Sequence, residues 1–168
     1  NDPFASPMGI AIDGKGMTLF VADPAAVTGM GETEDRGLIF TLSTGGGMPK
    51  VLTGTEGSRP RNLDVIDEGG SDFVYYSGLD KGAPGVMKIS AAGGTATAVA
   101  SGAPFVDPSG VAVAKNGDVF VGDTLSATGP GASIIQITAG KATPFITGLA
   151  IGYPLGVSLD MANTTLYV

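Results

Sequence analysis

The chain has 168 residues, a net charge of −7, and neither cysteine nor histidine. That composition removes disulfides, thiolate chemistry, Ser-His-Asp triads and the usual zinc and copper centres. Basic residues are too sparse for a nucleic-acid surface, and no apolar run approaches the roughly 18 residues of a membrane span.

Hydrophobic residues make up 43% and charged residues 15% of the chain, a globular profile. The predicted strands, in chain order, are 9–13, 18–22, 38–42 and 50–53; then 63–66, 73–77, 86–90 and 96–100. A third group covers 111–114, 119–122, 134–138 and 143–147, and two more strands lie at 157–160 and 165–168. Each is rich in β-branched and aromatic residues and bounded by Gly, Asn or Asp. Asn116-Gly117 is a hairpin signal, because both central residues of a type I′ turn need positive φ. Asp13-Gly14 has a similar part in the first group. No helical periodicity of useful length occurs, so the class is all-β.

One phrase opens each group. It reads Pro7-Met8-Gly9-Ile10-Ala11-Ile12, Pro60-Arg61-Asn62-Leu63-Asp64-Val65, Pro108-Ser109-Gly110-Val111-Ala112-Val113 and Pro154-Leu155-Gly156-Val157-Ser158-Leu159. Successive prolines lie 53, 48 and 46 residues apart, a spacing typical of blade repeats. Four-stranded antiparallel units at this period predict a β-propeller. The expected blades span about residues 7–57, 58–105 and 106–152, with a half blade at 153–168. Three and a half blades do not close a ring. The expectation is therefore part of a six- or seven-bladed propeller, completed by a second protein chain or by a continuation of this one. The 165–168 strand is expected to pair with further strands, because an open edge is a template for another chain.

The pattern Pro-x-Gly-(Ile/Val)-Ala-(Ile/Val), a turn, then (Leu/Val)-(Phe/Tyr)-Val-x-Asp resembles the NHL-repeat propellers. The segment from Pro154 to Val168 is similar to gluconolactonase-like and strictosidine-synthase-like propellers. That resemblance implies a central channel that takes a small molecule and, in the gluconolactonase-like members, a divalent metal held by Glu, Asn and Asp. The Asn of those members follows the proline of the opening phrase. Here Met8, Arg61, Ser109 and Leu155 occupy that place, and Asn62 lies one residue further on.

Loops before the first strand and between the second and third strands of each group share one face. That face gathers Arg61 and Asn62 as candidate binding residues. Asp23 and Asp123 end two second strands. They are candidate oxygen ligands for Ca2+ or Mg2+, or acceptors for loop N–H groups. Asp64 has Ala11, Ala112 and Ser158 as register mates, and an acid among such small residues needs a partner. The expected partner is Arg61 or Arg59; the alternative is a channel carboxylate that binds metal or moves a proton. Glu32, Glu34 and Asp35 lie in the longest loop and offer a cation or a basic partner a docking point, or simply form a solvated acidic loop. The first functional expectation is an exported binding or scaffold module, extracellular or periplasmic, using loops on one face. The alternative is a metal-dependent lactonase or hydrolase whose remaining ligands lie outside this chain.

Overall fold

A computed structural model describes residues 3–28, 36–125, 127 and 129–168. Glu32, Glu34 and Asp35 lie outside the described residues. Fourteen strands and no helix are found among those described. They are β1 (Gly9–Ile12), β2 (Thr18–Asp23), β3 (Leu38–Ser43), β4 (Lys50–Val51), β5 (Leu63–Asp67), β6 (Asp72–Asp80) and β7 (Ala83–Ser90). The series continues with β8 (Thr97–Ser101), β9 (Pro108–Val113), β10 (Val119–Asp123), β11 (Ala132–Thr138), β12 (Lys141–Leu149), β13 (Ser158–Leu159) and β14 (Leu166–Tyr167). Three sheets have four antiparallel strands in chain order, and β13 pairs with β14 in a fourth.

The sheets pack face on face, as blades of a β-propeller do. One apolar cluster joins the first and second sheets through Phe20, Ala22, Ile39, Val74, Tyr76 and Ile89. Another joins the second and third through Tyr75, Val86, Val111, Val121, Ile135 and Ile137. A smaller one sets Leu155 and Leu166 against Ala132 and Ile134. Alternation along each strand explains this: Val74 and Tyr76 face one neighbour while Tyr75 faces the other, so a blade is apolar on both sides. The innermost strands β1, β5, β9 and β13 lie in sequence beside one another. The register prediction holds as well. Ala11, Asp64, Ala112 and Ser158 sit opposite Phe20, Tyr75, Phe120 and Tyr167 respectively.

The glycine of the opening phrase has a packing cause. A Cβ at Gly9 would lie 2.7 Å from the Arg61 carbonyl oxygen and from Asn62 Cα, and one at Gly110 would lie 2.6 Å from the Leu155 carbonyl oxygen. At Gly9 and Gly110 the opening of the next inner strand passes directly over the glycine, whereas Asn62 holds that place in the second repeat and Gly156 faces open space. Only a residue without a side chain admits so close a backbone approach.

The turns correct one expectation. Asn116-Gly117 is not a type I′ turn: Gly117 alone has positive φ, and its N–H returns to the Ala114 carbonyl at 2.9 Å. Asp13–Gly16 and Asp160–Asn163 close in the same way, with Gly16 and Asn163 at positive φ. Adjacent positive-φ residues occur instead in other two-residue hairpin loops: Lys81-Gly82 between β6 and β7, Ala139-Gly140 between β11 and β12, and Gly69-Gly70, where the Glu68 N–H meets the Ser71 carbonyl.

Candidate functional site

The inner strands enclose a cavity of about 760 Å³, the channel side of the propeller. Ala11, Ala112 and Ser158 line it together with larger apolar side chains such as Val65, Val111 and Leu159, while Asn62, Asp64 and Lys115 contribute polar groups. Outside that lining, residues from the openings of three inner strands converge. The Tyr153 hydroxyl lies 3.2 Å from Met8 Sδ, and the Arg61 guanidinium carbon lies 5.7 Å from the Tyr153 ring centroid. A guanidinium on an aromatic face is held by the ring quadrupole while its N–H groups stay free for other acceptors.

Asp64 bridges blades. One carboxylate oxygen accepts the Val113 N–H at 2.9 Å, and the other accepts the Val65 N–H at 2.9 Å. Val113 lies on the innermost strand of the next blade, an edge strand whose outward N–H groups lack a ladder partner. The acid supplies that acceptor. Burial raises its pKa, and the two N–H groups partly oppose the rise. The expected arginine partner is not there. Arg61 Nη1 pairs with Asp107 instead, and the other Asp107 oxygen accepts the Thr124 hydroxyl at 2.5 Å.

Asp23 and Asp123 are fully buried. Asp23 accepts N–H groups from Ala5, Ser6, Ala25 and Ala26 at 2.7–3.1 Å. Asp123 accepts those of Val106, Asp107 and Leu125 at 2.8–3.1 Å. Burial raises the Asp123 pKa against those N–H bonds, with the Asp107 charge adding to the rise. Both acids staple the segment that enters a blade to the end of its second strand. In the second blade that place is taken by Gly78, which the Ser58 carbonyl approaches directly.

Candidate metal ligands are therefore not gathered. Among the described residues no three acidic side chains stand together as a metal would require. Asp23 and Asp123 are buried with four and three N–H donors on them, which a cation would have to displace, and no second carboxylate stands with Asp64. These three residues do not fit a divalent ion, and no chemistry is routed through one. Asn62 lines the channel. Sequence reading missed Asp107 and Tyr153. A signal existed: Ser6, Arg59, Asp107 and Tyr153 precede the repeated proline and differ in every copy.

Comparison with known proteins adds fold evidence. No family model matches the sequence, and no curated protein matches it. A solved structure described as a gluconolactonase from Xanthomonas campestris superposes with a TM-score of 0.66 at 16% identity, over 95% of this chain and 52% of that one. The chain thus spans about half the length of that structure. The likeness establishes the propeller architecture, and one architecture hosts many activities.

Proposed function

We propose that this chain is part of a propeller that works as a binding module, taking a small molecule into the channel between its inner strands. The observation that carries this reading is an open cavity of about 760 Å³ between the inner strands, lined by apolar side chains and by the small Ala11, Ala112 and Ser158, with Asn62, Asp64 and Lys115 as its few polar groups. Ligand sites are concave, largely apolar and marked by few polar groups, and their usual volume is about 300–1,000 Å³. Further blades, from a partner chain or the same one, would complete the wall. Ile10 and Ile12, 64% and 47% exposed on the free face of the first sheet, are suited to receive one.

A second reading is favoured by the gluconolactonase with the same fold. In it the protein hydrolyses a lactone with Ca2+ or Mg2+ held by residues outside this chain, while this half supplies channel wall and substrate contacts. One experiment separates the two. Amide NMR shifts of the full natural protein are followed with glucono-lactone and gluconate, while acid release from the lactone is measured with and without a chelator. Saturable shifts at Ala11, Asn62 and Ser158 without catalysed hydrolysis support the binding module. Hydrolysis that a chelator abolishes supports the lactonase. Silence at the channel amides overturns both.

A further inference from the structure

All three arginines of this acidic chain, Arg36, Arg59 and Arg61, lie at the same end of the propeller, in the loop before β3 and the loop before β5. The Arg59 N–H donates to the Arg36 carbonyl at 3.3 Å. Arg59 and Arg61 line one cleft of about 110 Å³ between the second and third blades, walled by Leu79, Pro84, Val106 and Pro108. This cleft shares no lining residue with the channel.

Its origin is the missing acid. Where the first and third blades bury Asp23 and Asp123, the second has Gly78, and the entering segment settles on it: the Leu79 N–H donates to the Ser58 carbonyl at 2.7 Å. That contact carries Arg59 through a positive φ of 46°, unusual for a residue with a side chain. Gly37 packs against it so closely that a Cβ there would fall 2.3 Å from Arg59 Cα. Backbone held in a sparsely populated region by surrounding contacts is a recurrent mark of functional sites.

The guanidinium donors are not all taken. Asp107 engages Arg61 through Nη1 alone, and its other oxygen is taken by Thr124. No carboxylate among the described residues pairs with Arg59, and the other N–H groups of Arg61 bond to nothing described. Asp107 and, behind it, the buried Asp123 balance much of the charge, so what the cleft offers is spare guanidinium N–H donors between apolar walls. Planar N–H forks match the oxygens of carboxylate and phosphate. With about 30 Å³ per water as the yardstick, the cleft holds an oxyanion group and not a whole sugar.

We infer that the Arg59–Arg61 cleft is an oxyanion subsite, binding the carboxylate or phosphate of a ligand. It deepens the binding-module reading, and rests on it only in treating the propeller as ligand-bearing.

The test titrates the full natural protein with inorganic phosphate, with acetate and, as a neutral probe, with glucono-lactone, following the Arg59 and Arg61 Nε–H signals and the Gly78 and Leu79 amides. The expected result is a saturable shift with one of the oxyanions, weakened about tenfold in Arg59→Gln and less in Arg59→Lys. Phosphate binding tighter than acetate, or the reverse, identifies the group the subsite prefers. A cleft that stays silent while lactone moves Ala11 and Ser158 overturns the subsite and leaves the channel reading intact. A cleft that saturates while every channel amide stays silent overturns the channel reading alone. Equal, unsaturable shifts with chloride, spread over all lysines, show an ion atmosphere and overturn the subsite.

Discussion

The second blade and its two neighbours solve one structural problem in opposite ways. In the first and third, the segment entering the blade is fastened by a buried carboxylate, Asp23 or Asp123, which gathers main-chain N–H groups. In the second, the acid is replaced by Gly78 and the segment lies directly on the backbone. A carboxylate clamp leaves the entry segment electrically satisfied. A backbone clamp leaves two arginines beside a cleft with a single acid to share. Identical blades would make a symmetric scaffold; the exchange of one residue gives this one a polarity.

The largest effect is expected where the two solutions are forced together. Gly78→Asp restores the residue of the neighbouring blades, but its Cβ would meet the Ser58 carbonyl at 2.4 Å and the Arg59 carbonyl at 3.3 Å. Neither neighbour is a flexible side chain. The variant should lose more than about 3 kcal/mol in urea unfolding, since both the overlap and a new unpaired acid oppose it. Stability close to wild type would show that the entry segment of the second blade adapts freely, and the contrast between blades would collapse.

The converse change is the next largest. Asp123→Ala strips the acceptor from three N–H groups at the mouth of the third blade. Orphaned or rehydrated donors of this kind, bonded to a charged acceptor, should cost about 2–3 kcal/mol in total after the segment relaxes. Because Asp107 is one of the three donors, the variant should also loosen Arg61 and move its Nε–H signal. Loss of stability without that signal would mean that the clamp and the cleft are independent.

The fourteen strands and the inner register of the blades were readable in the sequence, since β-branched alternation and the repeated phrase report on backbone pairing. The candidate site was readable only in part. Arg61 pairs with Asp107, 46 residues away in the next blade, a contact that no local pattern encodes. Asp64 was recognisable as exceptional, yet its partner is a main-chain N–H, which every residue but proline carries. The Asn116-Gly117 turn misled because its asparagine has another use: its side-chain oxygen accepts the Asp118 N–H at 3.1 Å.

A smaller effect separates the two roles of Asp64. Asp64→Ala should cost about 1–2 kcal/mol by leaving the Val113 N–H without its acceptor. Asp64→Asn keeps one acceptor and removes a buried charge. A carboxylate whose folded pKa is raised stabilises the fold most when protonated and loses that advantage as the pH rises from its ordinary value through the raised one. Wild type should therefore lose ground to Asp64→Asn as the pH climbs above the ordinary carboxylate range, read as the difference between their urea midpoints. A difference that runs the other way would mean that the two N–H bonds outweigh desolvation and that the acid is held ionised.

The smallest effect tests the packing between the first two blades, where the backbone clamp lies. Tyr76 is completely buried in the cluster formed with Phe20 and Ile39, and its hydroxyl makes no well-formed hydrogen bond among the described residues, the Ser58 hydroxyl being its nearest polar neighbour. A phenol left without a partner forfeits the bonds it had in water, while its ring still contributes apolar burial. Tyr76→Phe removes the hydroxyl and retains the ring, so it should be neutral or stabilising by up to about 1 kcal/mol. Thermal unfolding beside Tyr75→Phe supplies the control, because the Tyr75 hydroxyl donates to Glu68 at 2.6 Å and its removal should cost stability. If Tyr76→Phe proves the more damaging, the buried hydroxyl has a partner, such as an internal water in the neighbouring cavity lined by Ser58 and Lys81. That junction would then be held by a wet contact, and the entry segment of the second blade would rest on more than Gly78.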